Sequence, residues 1–357
     1  MSLLYNLSIQ SSIHNYNVTF IDDFKQSLNK INKSDDVIII DSKIIKLYDL
    51  GDLIRNWRHI EITASENQKS YQSLAPIIEK LINLSFRKNN RLVAIGGGIT
   101  QDVTGFISSI IFRGVVWLFF PTTLLAQGDS CIGGKTSINF ETYKNQIGNF
   151  YPPSEIYIDV SFTDTLSDLE YRSGVGEMCH FFLISGERDY QFFKREYLAA
   201  LNHDKQSLVR LISRCLEIKK SYIELDEFDR KERLILNYGH SFGHAIESIT
   251  DYKIPHGIAV TYGMDLANYI STRLNRIPKN LFKKLHQMFK IIWNGTDIGS
   301  IDIERFINAL KKDKKNIGSD LRVILTKGIG SMFIDQRSLD KNLIGYFQKY
   351  FSEIVNH

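Results

Sequence analysis

The chain has 357 residues, 43% hydrophobic and 24% charged, with a formal net charge of +4. That size suits two domains of ordinary length, and that balance suits a globular fold. The charge excess is too small, with no basic block standing alone, for a nucleic-acid partner. No stretch approaches the roughly 20 apolar residues of a membrane span, and the first residues lack a secretory signal pattern.

Strand and helix signals alternate through the first half. Val37-Ile38-Ile39-Ile40-Asp41 is a short apolar run closed by a polar residue and reads as a buried strand. Leu74 to Leu84 has helical period, with Pro76 expected in the first turn, where its missing N–H costs nothing. Arg91 to Ile95 reads as a strand entering Gly96-Gly97-Gly98, and Thr100 to Ile111 as the helix that follows. Val115 to Phe120 is a third strand, stopped by Pro121. Such alternation with short connections predicts a largely parallel sheet covered on both faces. After Tyr151-Pro152-Pro153 the pattern changes. From Asp164 onward the segments read as helices, with Arg322 to Leu325 as one short late strand. The expected organisation is an α/β domain over residues 1–157 and an all-α domain over 158–357. Cys131, Cys179 and Cys215 are odd in number and far apart, which points to a reducing cytoplasm rather than a disulfide framework.

Glycines between a strand and a helix let the backbone approach phosphate oxygens at the free N–H groups of the helix start. Gly96-Gly97-Gly98 is therefore a candidate pyrophosphate site, although it is not the ordinary GxGxxG fingerprint. Gly133-Gly134-Lys135-Thr136 resembles the end of a P-loop but lacks that motif's first glycine. Glu177, His240 and His256 each lie in a glycine-marked run expected to open a helix. Two imidazoles and a carboxylate are the ligand set of a catalytic Zn²⁺ with one open position, and Co²⁺ shares that set. His244, four residues after His240, and His180, three after Glu177, could each be a ligand or an acid–base group. His14, His59, His203, His286 and His357 have no such context. Arg113, Lys135, Lys144, Lys219, Arg233 and Lys315 stand in glycine-rich or helix-start settings where an anionic substrate could be held.

The runs GGGITQD, FRG, PTTLLAQGDS, GGKTSIN, KNQIGNFYPP, GVGEM, EIKK, NYGHSFGHAIE and PHGIAV follow one another from residue 96 to residue 260. Together they resemble 3-dehydroquinate synthase and its relatives, the sugar-phosphate cyclases. The resemblance implies a Rossmann-like NAD-binding domain, a helical metal-binding domain and a homodimer. It makes Glu177, His240 and His256 the ligands of Zn²⁺ or Co²⁺. It places Asp129, Lys135, Lys144, Asn145, Lys219, Arg233, Asn237, His244 and Lys315 at the substrate, and Arg113 at a neighbouring subunit's phosphate pocket. Asp41, Glu66, Lys69, Gly97, Gly98, Asp102, Thr122 and Thr123 would form the NAD shell, with Lys135 and Lys144 beside it.

The implied reaction takes the phosphorylated seven-carbon sugar acid 3-deoxy-arabino-heptulosonate 7-phosphate to 3-dehydroquinate and phosphate. Transient oxidation by NAD precedes phosphate elimination, re-reduction and aldol closure, so NAD is not consumed. The chain departs from the family pattern twice. His180 stands where a lysine is usual, and Ile258 where a glutamate is usual. These changes keep open a cyclase of the 2-epi-5-epi-valiolone or 2-deoxy-scyllo-inosose synthase type, and, more distantly, a metal-dependent NAD polyol dehydrogenase. Arg233 favours a carboxylated substrate, because a guanidinium pairs well with a planar carboxylate.

Overall fold

A computed structural model describes residues 5–141, 143–312 and 320–355. Two compact units emerge. The first runs to Leu166 and takes in Lys219–Phe228; the second comprises Ser167–Ile218 and the residues from Asp229.

The first unit is built on a seven-stranded sheet: β1 (Asn6–Ile9), β2 (Tyr16–Phe20), β3 (Val37–Asp41), β4 (His59–Ile62), β5 (Leu92–Gly96), β6 (Trp117–Pro121) and β9 (Glu155–Ile158). The spatial order is β1-β2-β9-β6-β5-β3-β4. Only β1 is antiparallel to its neighbour; the other pairings are parallel. β3, β5 and β6 are buried at every position, as expected of interior parallel strands covered on both faces. Helices α1 (Phe24–Ile31), α2 (Ser42–Leu47), α3 (Gly51–Arg55), α4 (Tyr71–Asn83) and α5 (Gly98–Ile110) connect the strands. A core of Ile38, Ile40, Val93, Ile95, Leu118, Phe120 and Phe162 lies against Phe24, Leu28, Ile44, Leu50 and Ile54. A small antiparallel pair, β7 (Ile138–Phe140) and β8 (Tyr143–Ile147), projects from the stretch between β6 and β9.

Two expectations change here. Helix α4 starts at Tyr71 on a Ser70 cap, so Pro76 lies in its second turn and withdraws one backbone donor from the helix interior. A domain boundary at 157 would cut β9, whose Ile156 and Ile158 are fully buried, and would detach Phe162 from the core. The division instead follows Leu166.

The second unit holds α6 (Asp168–Ser185), α7 (Glu187–Leu201), most of α8 (Lys205–Leu225), α9 (His240–Ile249), α10 (His256–Arg273), α11 (Lys279–Ile292), α12 (Ile303–Lys311) and α13 (Lys341–Lys349). It is helical, as expected, and its one late strand signal belongs to an antiparallel hairpin of β10 (Leu321–Thr326) and β11 (Met332–Arg337). Buried Val323 and Leu325 on β10 give the apolar run that marked a late strand. Among the described residues no helix is long and apolar enough to cross a membrane.

Helix α10 is the axis of this unit. Residues Gly257 to Ser271 are all buried. It meets its neighbours at glycines. A Cβ on Gly257 would lie 1.8 Å from the Ser173 carbonyl oxygen of α6, and one on Gly263 would lie 2.0 Å from the Gly239 carbonyl oxygen at the start of α9. Glycine there permits backbone-to-backbone crossings that no larger residue allows. The Gly257 N–H also donates to Ser173 Oγ at 2.9 Å.

Candidate active site

In the first unit, β5 feeds directly into α5 through the triple glycine. The chain's own packing accounts for two of the three. A Cβ on Gly96 would lie 2.2 Å from Thr100 Oγ1, and one on Gly97 2.8 Å from Thr123 Cγ2. At Gly98 the nearest atom would be Ser130 Oγ at 4.0 Å. Nothing internal demands glycine at that first helical position. The open space there would let a ligand approach the backbone at the helix N-terminus, which fits a nucleotide pyrophosphate. Thr122 is tied to the turn by its N–H donating to Gly96 O at 2.9 Å, and Thr123 Oγ1 accepts the Ala126 N–H at 3.2 Å. Asp41 closes β3 and caps α2 by accepting the Lys43 N–H at 3.0 Å.

Beside this turn lies a polar network. Lys69 Nζ pairs with Asp102 Oδ2 at 2.6 Å and donates to Asn145 Oδ1 at 2.7 Å. Glu66 Oε1 accepts from Asn139 Nδ2 at 2.8 Å and lies 3.7 Å from Lys144 Nζ. Asn139 Oδ1 in turn accepts the Asn145 N–H at 2.9 Å. Burial pushes the Asp102 carboxyl up to about 6, against the pull of Lys69. The hairpin β7–β8 thus delivers Lys144 and Asn145 to Glu66, Lys69 and Asp102. Asn139, the joint of the network, was not singled out in sequence, though it ends the GGKTSIN run. Asp129, on the π-helical turn Ala126–Ser130, binds Lys219 Nζ through its carboxylate at 2.8 Å, and its backbone oxygen accepts from the same ammonium at 2.6 Å. Lys219 is buried and Lys135 exposed. Arg113 is exposed on a turn where Phe112, Arg113 and Gly114 all have positive φ (50°, 62° and 110°). A bulky residue in that region is strained, a state that persists where the surroundings fix it.

In the second unit, Glu177, His240 and His256 converge. Glu177 lies in the third turn of α6 rather than at the helix start expected from its glycines; Gly176 beside it serves the crossing with α10. His240 and His256 are the first residues of α9 and α10. His240 Nε2 is 3.3 Å from Glu177 Oε1, and His256 Nε2 is 3.5 Å from Glu177 Oε2. Their ligand atoms all lie within 4.8 Å of one another. The Glu177 side chain is 2% exposed, and its Oε2 has no hydrogen-bond partner among the described residues. Burial opposes its ionisation, but the facing imidazoles of His256 and His240 outweigh burial and hold its pKa below the usual carboxylate range. A buried carboxylate with an unsatisfied oxygen, faced by two Nε2 atoms, is a donor set that fits a divalent cation.

His180 is buried, and its Nδ1 lies 2.5 Å from the Glu177 backbone oxygen; since a carbonyl only accepts, that nitrogen carries hydrogen. It lies beside the cluster, with its ring centroid 5.2 Å from that of His240. His244 is exposed and belongs to a second close set with Glu247 and His256. Glu247 was missed in sequence; its spacing three residues after His244 was the available signal. Arg233 is buried on the turn Glu232–Asn237, and Asn237 Nδ2 donates to Leu234 O at 3.0 Å. His286 is satisfied by Asp265 at 2.8 Å, as an ordinary structural histidine. Lys315 and His357 lie outside the described residues.

Residues 59–173 match the family model described as 3-dehydroquinate synthase N-terminal, and residues 174–316 the one described as 3-dehydroquinate synthase C-terminal. A 3-dehydroquinate synthase of Dictyoglomus thermophilum is 36% identical over 315 residues, covering 88% of each chain. In fold, the chain is similar to 2-deoxy-scyllo-inosose synthase solved with carbaglucose-6-phosphate, NAD⁺ and Co²⁺, at a TM-score of 0.85 and 24% identity, over 95% of this chain and 98% of that one. It is also similar to 2-epi-5-epi-valiolone synthase of Streptomyces hygroscopicus with NAD⁺ and Zn²⁺, at a TM-score of 0.82 and 20% identity, over 96% and 98%.

Proposed function

The chain belongs to the 3-dehydroquinate synthase family, and on that premise we propose that it converts 3-deoxy-arabino-heptulosonate 7-phosphate to 3-dehydroquinate and phosphate as an NAD- and divalent-metal-dependent carbon–oxygen lyase. The observation that carries the chemistry is the convergence of Glu177, His240 and His256, with a buried carboxylate oxygen left for a cation. When bound, NAD supplies a hydride acceptor that returns what it takes, and Zn²⁺ or Co²⁺ supplies a Lewis acid.

The chain's own residues do the rest. The α5 N-terminus at Gly97 and Gly98 holds the pyrophosphate, with Asp41, Glu66, Lys69, Asp102, Thr122 and Thr123 around the nucleotide. The Lys69–Asp102–Asn145 chain fixes the hairpin that carries Lys144. Lys219 and Asp129 hold one another in place, so each presents a defined charge rather than a mobile one. Arg233 offers a planar fork to the substrate carboxylate, beside Asn237 on the same turn. Lys135, Lys144 and Lys315 are cations for the phosphate. His244 and His180 are the imidazoles available to move protons or contact substrate. The chain acts in the cytoplasm as a homodimer, with Arg113 held outward on its strained turn toward the neighbouring subunit's phosphate pocket.

The test is to incubate the protein with NAD⁺, Zn²⁺ or Co²⁺, and either the heptulosonate phosphate or sedoheptulose 7-phosphate, which lacks the carboxylate. Phosphate release and a carbocycle by mass spectrometry from the acid alone, without accumulating NADH, are expected. Arg233→Ala should lower kcat/KM for the acid by about 30-fold to several thousand-fold, the cost of truncating one partner of a buried charge pair. Turnover of sedoheptulose 7-phosphate that survives Arg233→Ala would promote the alternative cyclase, which His180 in place of lysine favours. Stoichiometric NADH would indicate a polyol dehydrogenase.

A further inference from the structure

His256 is bracketed by two carboxylates. Its Nε2 faces Glu177 Oε2 at 3.5 Å, and its Nδ1 lies 3.0 Å from Glu247 Oε2. Glu247 is on α9, seven residues after His240 and so on the same helix face. Its side chain is 14% exposed. An ionised carboxylate only accepts, so this contact requires hydrogen on His256 Nδ1. The lone pair of the neutral ring is then at Nε2, on the side of Glu177.

The same imidazole is shared by a second ligand set, since donor atoms of His244, Glu247 and His256 also lie within 4.8 Å of one another. A neutral imidazole has one lone pair, so it serves one set at a time. The two sets differ in what they lack. In the first, the buried Glu177 Oε2 has no hydrogen-bond partner among the described residues. In the second, the Glu247 carboxylate already receives the His256 Nδ1–H. His240 shows a related arrangement, with its Nδ1 3.3 Å from the Tyr238 carbonyl oxygen and its Nε2 turned to Glu177.

We propose that Glu247 is a positioning residue that fixes the tautomer and ring orientation of His256, committing its Nε2 to the Glu177 site rather than serving as a ligand of a second one. The proposal rests on reading Glu177, His240 and His256 as the metal ligands. Without Glu247 the ring can turn and populate the other tautomer, and both changes weaken a metal ligand. Loss of such a partner typically costs about 10- to 100-fold in metal affinity.

The test is competition of the metal-free chain against a chromophoric chelator for Zn²⁺, together with ¹⁵N spectra of histidine-labelled, metal-free protein. The wild type should bind one ion per chain and show His256 with hydrogen on Nδ1. Glu247→Ala should weaken binding about 10- to 100-fold and mix the tautomers. Glu247→Gln keeps an acceptor in nearly the same shape, so its loss should be smaller; it also serves if the alanine variant does not fold. Unchanged affinity in both variants would overturn the proposal. So would a second bound ion lost equally on His244→Ala and Glu247→Ala, which would make Glu247 a ligand. His240→Ala separates the two readings. If it abolishes binding while the Glu247 variants do not alter it, only the positioning role falls. If His240→Ala leaves binding intact, the ligand reading falls and takes this one with it.

Discussion

Asp102 shows how one residue sets a pH response. Its pKa in the folded chain is about 6, against an ordinary 3.8, because burial outweighs the attraction of Lys69. Between those values the folded state holds the proton more tightly than the unfolded chain does. Its contribution to stability is therefore full below the ordinary value and is lost as pH rises through about 6. This is the reverse of the usual carboxylate, which stabilises on ionising. Replacing Asp102 by Asn should remove that component. The difference in unfolding free energy between wild type and Asp102→Asn, from urea titrations at a series of pH values, should change across this window and be flat outside it. A difference that is constant throughout would contradict the raised value. For the proposed nucleotide role the sign is opposite. Only the ionised carboxylate is a pure acceptor for ribose hydroxyls, so NAD⁺ affinity should weaken as pH falls through about 6, and Asp102→Asn should lose that dependence.

At the scale of elements, the runs that read as chemistry are half chemistry and half packing. Glu177, His240 and His256 stood out because carboxylate and imidazole among glycines suggested a metal site. Gly176, Gly239, Gly243 and Gly257 turn out to serve helix crossings, and Glu177 lies inside α6, which starts at the Ser167 cap. Sequence spacing could not show this, because a close crossing involves residues distant along the chain. The glycines therefore make opposite predictions according to what they face. Alanine is favoured over glycine inside a helix by about 1 kcal/mol. At Gly345 of α13 a Cβ meets nothing within 4 Å, so Gly345→Ala should stabilise by up to that amount. At Gly257 the Cβ would lie 1.8 Å from Ser173 O and 2.8 Å from the Glu177 N–H nitrogen. Overpacking of this kind typically costs about 1–3 kcal/mol and exceeds the propensity gain. Gly257→Ala should lower the melting temperature and, because it separates α10 from α6 beside His256 and Glu177, should weaken Zn²⁺ binding as well. An equally tight ion in that variant would show that the crossing does not position the site.

At the scale of the molecule, the parallel sheet was legible because short, continuous apolar runs such as Val37–Asp41 and Leu92–Gly96, rich in β-branched residues and closed by polar residues or glycine, suit strands buried on both faces. Strands β1, β2, β4 and β9 alternate buried and more exposed positions over only four or five residues, so they lack the continuous apolar run that marks β3, β5 and β6, and β9 lies inside the first unit, which runs to Leu166. Glu66, Lys69, Asp102, Lys144 and Asn145 were legible as separate residues, but neither Asn139 nor the network it joins was, because the β7–β8 hairpin that assembles it carries no strong strand pattern. The two compact units allow the proposed ligands to be mapped independently by amide hydrogen exchange. A ligand at 100 times its Kd slows exchange through openings that abolish its site by about 100-fold. NAD⁺ alone should therefore raise protection at Gly97–Gln101 and Thr122–Thr123, the turn where Gly98 leaves room for a ligand. Zn²⁺ alone should raise protection at Gly239–Ser241 and at Gly257, where α9 and α10 begin. In His240→Ala the zinc response should vanish while the NAD⁺ response persists. Protection by NAD⁺ that bypasses the α5 N-terminus would remove the triple glycine from the nucleotide site, and a zinc response unchanged in His240→Ala would remove that histidine from the metal.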